Sequence, residues 1–323
     1  MECHHRTIGP DRSRNIVTAS NISWTHEVWN WVTGCDRISS GCRFCYAAEM
    51  AKRLQKQGLS KYQTDGDPRT SGPGFGIAVH ETLLRDPLGW REGRRVFENS
   101  MSDLGHARIP RWALASSWAV KALTQRHHYQ VLTKRPLHLS RTLNDPQFVL
   151  DVAAAATDII ATTPAHLGRW RLDLGGRRLA GDSGFGDGWS TTTTAEGDTL
   201  WMPPWPPPNV WVGTTIESDE YCDRADTLRA TEAAVRWLSI EPMLGPLPSL
   251  DLTDIDWVVV GGESGHNHRP FELDWAREVR DRCIDLEIPF YFKQVGGRTT
   301  NAGGRLLDGR TWDEYPMELA GRR

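Results

Sequence analysis

Residues 257–265 read Trp-Val-Val-Val-Gly-Gly-Glu-Ser-Gly, and residues 289–294 read Pro-Phe-Tyr-Phe-Lys-Gln. Each run begins as a short apolar strand and ends in polar residues, and residues 274–286 between them have the spacing of an amphipathic helix. This order of strand, polar tip and helix recurs along the chain, with further strands predicted at Arg95–Asn99, His128–Leu132, Val210–Gly213 and Val235–Ile240. The repetition predicts an α/β fold with parallel strands.

Polar and charged residues gather directly after these predicted strands, which is where α/β barrels place their active-site groups. We therefore predict a partial or full (β/α) TIM-like barrel with parallel strands. An open doubly wound sheet also places its ligands at the strand ends and stays the alternative. A cysteine-rich loop follows the first predicted strand, which lies within residues 21–32.

The domain boundaries are set where the repeat of strand, polar tip and helix begins and where it is interrupted. Residues 1–20 are predicted to form a polar leader, and residues 21–323 a single barrel domain. Residues 165–208 interrupt the rhythm with Gly-rich, Thr-rich and Pro-rich stretches, so we expect an irregular insertion that forms a surface excursion.

Composition and charge argue against three classes of protein: general nucleic-acid binders, membrane-spanning proteins and secreted proteins. The 323 residues carry a formal net charge of −3, which gives no general attraction to a phosphate backbone, although nucleic acid stays open as a partner. No stretch of about 18 apolar residues occurs that could span a bilayer. The leader lacks the apolar middle of a secretion signal, so we expect a cytoplasmic protein without a membrane partner.

Three of the six cysteines lie close together, at Cys35, Cys42 and Cys45. Thiolates are soft ligands that suit zinc or an iron–sulfur cluster. A structural zinc site needs four protein ligands, and the nearby sequence offers no obvious fourth Cys or His. Three thiolates leave one iron of a four-iron cluster open to a substrate or cosubstrate. We therefore favour an iron–sulfur cluster, with structural zinc and unligated thiols as the alternatives.

The cysteine loop resembles that of the radical S-adenosylmethionine superfamily, in which three cysteines follow the first strand of an α/β barrel beside an aromatic residue, here Phe44 and Tyr46. The usual superfamily spacing is Cys-x3-Cys-x2-Cys, whereas six residues separate Cys35 from Cys42 in this chain. Longer segments resemble a phage and prophage protein family of unknown function that is regarded as radical-SAM-like. These segments are WNWVTGC at 29–35, NSMSDL at 99–104, LTKRP at 132–136, LSIEPM at 238–243, GGESG at 261–265 and FKQ at 292–294.

The resemblance implies a four-iron, four-sulfur cluster on the three cysteines and S-adenosyl-L-methionine as a small-molecule cosubstrate. In the superfamily the amino and carboxylate groups of the cosubstrate bind the open iron, and the reduced cluster cleaves the sulfonium to a 5′-deoxyadenosyl radical. An external electron donor is therefore implied as well. Gly261, Gly262 and Glu263 resemble the superfamily segment that meets the amino group of the cosubstrate, with a capped tight turn as the alternative.

Several strand-end residues are candidates for the same site. The candidate cofactor-binding residues are Ser100, Ser102, Asp103 and Tyr46, and the candidate catalytic residues are Lys134, Glu241 and Lys293, with Arg135 beside them. A carboxylate or ammonium group at a barrel mouth suits substrate binding or proton transfer, and serine side chains could bind ligand hydroxyl groups. Helix capping, solvated surface positions and salt bridges between Glu241 and the lysines are the plainer alternatives.

Two functions are consistent with these residues. The first is an enzyme that modifies a polar substrate, which the phage setting of the family suggests is a nucleic acid, a nucleotide or a peptide. The second is a zinc-binding, non-catalytic interaction module on a barrel scaffold.

Overall fold

The computed structural model describes residue 20 and residues 22–67, 71–163, 188–299 and 302–316. The predicted leader at 1–20 therefore lies almost entirely outside the described residues, and so does the part of the predicted insertion up to residue 187. No helix in the described part of the chain is long and apolar enough to cross a membrane.

The described residues form eleven strands and six α-helices, joined by loops and short 3₁₀ turns. The strands are β1 Glu27–Trp29, β2 Val32–Thr33, β3 Ala78–Val79, β4 Arg95–Glu98, β5 His128–Thr133, β6 Ser190–Thr193, β7 Thr199–Met202, β8 Val210–Thr215, β9 Val235–Ile240, β10 Trp257–Gly261 and β11 Phe290–Gln294. The helices are α1 Tyr46–Lys56, α2 Arg111–Leu123, α3 Pro136–Leu143, α4 Pro146–Thr162, α5 Asp223–Arg229 and α6 Leu273–Asp285. The four strands predicted between residues 95 and 240 are present, with ends shifted by at most two residues.

Seven strands form the main sheet in the order β1-β4-β5-β8-β9-β10-β11. Each neighbouring pair in this sheet runs parallel. The prediction of an α/β fold with parallel strands is therefore confirmed. β1 and β11 are the two edges of the described sheet, which is a curled, open half-barrel.

Large aromatic side chains fill the concave face of this sheet toward its amino-terminal end. Trp24 packs against Phe97 of β4 with ring centroids 4.8 Å apart, and against Trp257 of β10 at 6.2 Å. Four strand spacings separate β4 from β10, which is roughly 19 Å in a flat sheet, so the sheet must curl to bring both rings to one tryptophan. We call the cluster of Trp24, Phe97, Trp211, Trp237, Trp257 and Tyr291 the aromatic plug.

Gly213 of β8 shows how closely the aromatic plug is packed. A Cβ atom at this position would lie 2.5 Å from the indole ring of Trp237. Non-bonded carbon atoms pack at about 3.5 to 4.0 Å, so any side chain here would displace the ring. Glycine at this position therefore allows β8 to pair with β9, whose Trp237 side chain points into the concave face.

Helices cover the convex face of the sheet and form the main hydrophobic core with it. Strand residues such as Val131 and Val258 share this core with helix residues such as Trp118. One ion pair is sealed beneath α2: Lys121 lies 2.8 Å from Glu98 of β4, and both side chains are fully buried. Burial, opposed by the attraction of Glu98, lowers the pKa of Lys121 to about 8.

Two local features differ from the sequence-based expectation. The two-residue strand β2 lies between β1 and the cysteine loop, and it pairs antiparallel with β3 rather than joining the main sheet. The end of the predicted irregular insertion is a regular β6–β7 hairpin that packs on α4. The Ser-Thr-Thr-Thr sequence of β6 has no apolar alternation, so the pattern of residues does not indicate a strand there.

Candidate metal centre

The three clustered cysteines lie on one loop at the carboxyl-terminal end of the sheet, which we call the mouth of the half-barrel. Cys35 follows β2, Cys42 ends a short 3₁₀ turn, and Cys45 directly precedes α1. Gly34 forms a bridge with Ser102, which places the loop beside the tip of β4. All three thiols are free.

The six residues between Cys35 and Cys42 cross the mouth, and we call residues 36–41 the strap. The hydroxyl group of Ser39 donates a hydrogen bond to Glu217, just after β8, at 2.6 Å. β8 lies three places from β1 in the sheet. The long gap between the first two cysteines is therefore what allows the loop to reach this strand.

A second set of contacts anchors the strap at Ser40. The Ser40 carbonyl accepts a hydrogen bond from Arg269, after β10, at 3.0 Å. Its backbone N–H donates to the hydroxyl group of Tyr221, after β8, at 3.3 Å. Because β10 lies five places from β1, the strap spans most of the open mouth.

Glu217 is the buried acceptor that holds the strap to β8. Its side chain is 0% exposed and receives Lys134 and Arg224 as well as Ser39, with Arg224 at 2.9 Å. Although burial opposes ionisation, the charges of Lys134 and Arg224 lower the pKa of Glu217. Gly41 of the strap leaves room for these groups, since a Cβ atom there would lie 2.5 Å from the Glu217 carboxylate.

Glu263 orients the arginine that holds the strap to β10. Its two carboxylate oxygens accept hydrogen bonds from Arg269 at 2.6 and 2.8 Å. The same guanidinium group lies 5.5 Å from the centre of the Phe44 ring. The preceding Gly262 lies against the backbone of the loop after β11, because a Cβ atom there would lie 1.8 Å from the Val295 carbonyl oxygen.

Arg135, after β5, anchors the loop at Cys35. Its guanidinium group donates to the Cys35 sulfur at 3.2 Å, to Asp103 at 2.8 Å and to the carbonyl of Asp36 at 2.7 Å. The Asp36 carboxylate in turn contacts His106 at 3.0 Å. Ion-paired groups therefore hold both ends of the strap.

The two sulfurs at the ends of the strap differ in acidity. Burial, followed by the charge of Asp103, raises the pKa of the Cys35 thiol to about 12, and Arg135 opposes this shift. Burial also disfavours the Cys42 thiolate, but the charge of Lys134 and hydrogen bonds from Ile38 and Ser39 together lower the pKa of Cys42. Cys42 is therefore the first of the two to lose its proton, and Arg135 supplies the compensating charge for Cys35.

An ion pair lies at the mouth between Glu241, after β9, and Lys293 of β11. The Lys293 Nζ atom is 2.5 Å from a Glu241 oxygen. Gly261 of β10 lies between these strands, and a Cβ atom there would be 3.4 Å from Lys293 and 3.6 Å from Glu241. A side chain at this position would therefore be in van der Waals contact with the ion pair.

Tyr46, the first residue of α1, lines the same mouth. The residue is 54% exposed, and its hydroxyl group donates to the Ser100 carbonyl at 2.7 Å. Desolvation of this hydroxyl group, followed by the negative charges of Cys45 and Glu241, raises the pKa of Tyr46. The phenol is thus within electrostatic range of both the cysteine loop and the Glu241–Lys293 pair.

Two enclosed donors at the tip of β4 have no hydrogen-bond partner among the residues that the structure describes. They are the side-chain nitrogen of Asn99 and the hydroxyl group of Ser102. Asn99 is 3% exposed and has a left-handed φ of 58°. Its side-chain oxygen accepts a hydrogen bond from the backbone N–H of Val32 at 3.2 Å. Unpaired buried donors are uncommon and indicate a place for a ligand or an ordered water.

A family model described as "Protein of unknown function (DUF5131)" matches residues 19–316. The chain belongs to the DUF5131 family. No curated protein and no solved structure matches it significantly. The coarser part of the resemblance, a family of unknown function that covers nearly the whole chain, is thereby confirmed.

Most of the predicted site residues of this DUF5131 protein fall into two groups. The first surrounds the sulfurs of Cys35 and Cys42 and consists of Ser102, Asp103, Lys134 and Arg135. The second lines the mouth beside α1 and consists of Tyr46, Ser100, Glu241, Gly261 and Lys293. Gly262 and Glu263 belong to neither group, because they contact the loop after β11 and Arg269.

Three residues that build the DUF5131 site were missed by the sequence analysis. They are Glu217, Arg224 and Arg269, which position the strap directly or through one another. Glu217 could have been found, since it is the polar tip of β8 in the same pattern as the other candidates. Nothing local marks Arg269, because the strap carbonyl that it holds lies 229 residues away in the chain.

The donor set of the DUF5131 chain suits a thiolate-bound metal centre. Three free thiols lie on one loop, cations compensate two of them, and two buried donors beside the loop are unpaired. In the part of the chain that the structure describes, no three Cys, His, Asp or Glu side chains are already placed as a metal site. Arg135 and Ser39 contact the sulfurs of Cys35 and Cys42 at 3.2 and 3.5 Å, so metal binding must exchange these contacts and release thiol protons.

Proposed function

We propose that this protein is a radical-SAM-like iron–sulfur enzyme with a four-iron, four-sulfur cluster on Cys35, Cys42 and Cys45. The proposal rests on one observation: ion-paired groups from β5, β8 and β10 hold a loop with three free thiols at the mouth of a parallel α/β half-barrel. We further propose that the curled sheet belongs to a TIM-like barrel, whose active sites lie at this end of the strands.

The bound cluster would transfer an electron from an external donor to S-adenosyl-L-methionine, the small-molecule cosubstrate. The protein itself supplies position, charge and shielding from water. Arg135 and Lys134 place positive charge beside the sulfurs of Cys35 and Cys42, which favours thiolate ligands. The strap covers the mouth, and the aromatic plug closes the concavity from below.

The other residues of the site have separate proposed roles in binding, proton transfer and charge compensation. Asn99 and Ser102 offer buried donors to the group that occupies the space beside Cys35. Glu241 offers a carboxylate that can accept a proton from a polar substrate, and Lys293 compensates its charge at 2.5 Å. Lys134 is held by Glu217, so its proposed part is electrostatic rather than direct contact with substrate.

The setting that we propose is the cytoplasm of a cell that carries a phage or prophage. Three free thiols on one loop suit a reducing compartment. The substrate class that fits this setting and the polar mouth is a nucleic acid, a nucleotide or a peptide.

Anaerobic purification of the protein and of two cysteine variants tests the cluster. We expect a brown protein with about four irons per chain, and hardly any bound iron in Cys42→Ser. Cys222→Ser is the matched control. Cys222 is buried directly before α5 and contacts Asp219, so this variant should keep the iron. A colourless protein with about one zinc per chain would overturn the proposal and support the interaction module instead.

Calorimetric titration of the reconstituted protein with S-adenosyl-L-methionine tests the cosubstrate. We expect heat of binding in the iron-loaded protein, and release of methionine once a reductant is added. Cys42→Ser should show neither. An iron-loaded protein that gives no heat and releases no methionine would rule out radical chemistry at this centre.

A further inference from the structure

The charge around the strap differs from that of the whole chain, which is −3. Carboxylates in the strap and around it are neutralised by ion pairs. The pairs are Asp36 with Arg108, Asp103 with Arg135, Glu217 with Lys134 and Arg224, and Glu263 with Arg269. Glu220, after β8, is an exposed carboxylate at this edge.

Cations around the strap are exposed and lack such partners. Arg37, Arg43 and Arg298 form no ion pair with a carboxylate among the residues that the structure describes. His266 and His268 are exposed on the loop after β10. We call these five residues the basic rim. The surface around the mouth is therefore more positive than the net charge of the chain indicates.

The three loops that carry the basic rim are joined to one another. Arg269 joins the loop after β10 to the strap through the Ser40 carbonyl at 3.0 Å. Backbone hydrogen bonds of Gly297 join the loops after β10 and β11, and Arg298 contacts His266 at 3.4 Å. These contacts hold the three loops with their basic residues around one opening.

Aromatic surfaces lie inside the basic rim. The guanidinium group of Arg43 lies 5.2 Å from the centre of the Phe44 ring, and Tyr46 is more than half exposed at the mouth. Cations that follow a backbone, together with aromatic rings on which bases stack, are the means by which proteins bind single-stranded nucleic acids. An acidic protein segment would use the cations alone, so the rings favour a nucleic acid.

We propose that the basic rim binds the backbone of a single-stranded nucleic acid and presents one of its bases to the mouth. The arginines neutralise phosphates, and Phe44 and Tyr46 provide surfaces for stacking. The Glu241–Lys293 pair offers an acceptor and a donor to the edge of a base. Delivery of a base to a metal centre rests on the proposed function, whereas binding of the backbone does not.

Fluorescence anisotropy with a labelled oligothymidylate, measured over a series of salt concentrations, tests the basic rim. We expect binding that weakens steeply with salt. The triple variant R37A/R43A/R298A should bind at least roughly tenfold more weakly, and the slope of log K against log salt should shrink by about 2, since each lost phosphate contact removes about 0.7. Arg91→Ala is the matched control, because Arg91 is exposed before β4, at the opposite end of the sheet, and it should bind as the wild type does.

Three results would overturn the inference. These are no binding of oligothymidylate at low salt, equal losses in the triple variant and in Arg91→Ala, and competition by polyglutamate as strong as that by unlabelled oligothymidylate. Thermal unfolding of each variant shows that a loss of binding is not a loss of folding. Iron content is measured on the same samples, so a protein that binds the oligonucleotide without iron would reject the proposed function alone.

Discussion

The two ends of the concave face are built on the same strands from opposite kinds of side chain. β9 contributes Trp237 to the aromatic plug and is followed by Glu241 at the mouth, and β11 contributes Tyr291 and then Lys293. Alternate residues of a strand point to the same face, so each aromatic residue and its charged counterpart enter one concavity. Packed aromatic side chains form the amino-terminal end of the concave face, and charged side chains form the mouth.

This difference separates the residues that stabilise the fold from those that serve the site. The aromatic plug is buried and apolar, so its loss should reduce the free energy of unfolding without changing the metal ligands. The strap is held by polar contacts at an open surface, so its loss should affect metal retention far more than stability. Barrel enzymes divide stability and activity between their two ends in the same way.

Trp237→Ala should give the largest effect, a loss of about 3 to 5 kcal/mol in the free energy of unfolding. The substitution leaves a cavity where the rings of Trp24 and Trp257 now pack at 5.4 and 5.2 Å. Urea unfolding measures the loss, and the exposed Trp112→Ala on α2 is the control, with an expected change of about 0.5 kcal/mol or less. Similar losses in the two variants would mean that the aromatic plug is not a stabilising core.

Lys121→Met should reduce the free energy of unfolding by about 3 kcal/mol, because it leaves the Glu98 charge buried without its partner. Lys293→Met, which breaks the ion pair at the mouth, should cost roughly 1 kcal/mol, since water reaches that pair. Denaturant unfolding of both variants gives the comparison. If the mouth variant loses more, the mouth contributes to stability and the proposed separation of the two ends is wrong.

Gly213→Ala should destabilise the protein by about 1 to 3 kcal/mol through overpacking against the Trp237 ring. The double variant G213A/W237F removes the ring atoms in the way, so it should lose less than the sum of its single variants. Thermal and urea unfolding of the four proteins complete the cycle. Strict additivity would show that the glycine is not there to accommodate the tryptophan.

Arg269→Gln should have the smallest effect on stability, about 1 kcal/mol or less, and still affect the metal centre. Without its hold on the Ser40 carbonyl, the strap loosens, and removal of iron by a chelator should become about tenfold faster. Arg280→Gln is the control, since Arg280 forms ion pairs with Asp281 and Asp308 away from the strap. Equal chelation rates in the two variants would show that Arg269 does not position the loop.

The sequence predicts the strands of this fold better than it predicts the contacts of the site. Each apolar run with a polar tip is a local signal, which is why β9 was located to the residue. The antiparallel β2–β3 pair and the β6–β7 hairpin were missed because these strands are too short or too polar to show a period. The pairing order and the curl of the sheet depend on contacts between distant segments, which no single run of residues encodes.

The candidate site shows the same limit. Lys134, Glu241, Glu263 and Lys293 were singled out because they follow strands. Their partners were not predicted beyond the salt bridge of Glu241. Glu217 lies 83 residues from Lys134 in the chain, and no sequence pattern marks Arg269, 6 residues after Glu263, as the partner of that carboxylate. The role of the six-residue cysteine gap also became apparent only from the fold, since the partners of Ser39 and Ser40 lie 178 and 229 residues away.

The strap is held by residues that lie far along the chain and are therefore synthesised well after it. The cysteine loop leaves the ribosome early, but Glu217 and Arg269, which hold the strap, are made roughly 10 to 45 s later at ordinary rates of translation. Arg135 is made earlier, so during that interval the loop can be held at Cys35 but not at Ser39 and Ser40. The proposed metal centre is therefore completed only near the end of synthesis, and metal loading would report whether the carboxyl-terminal strands have been added.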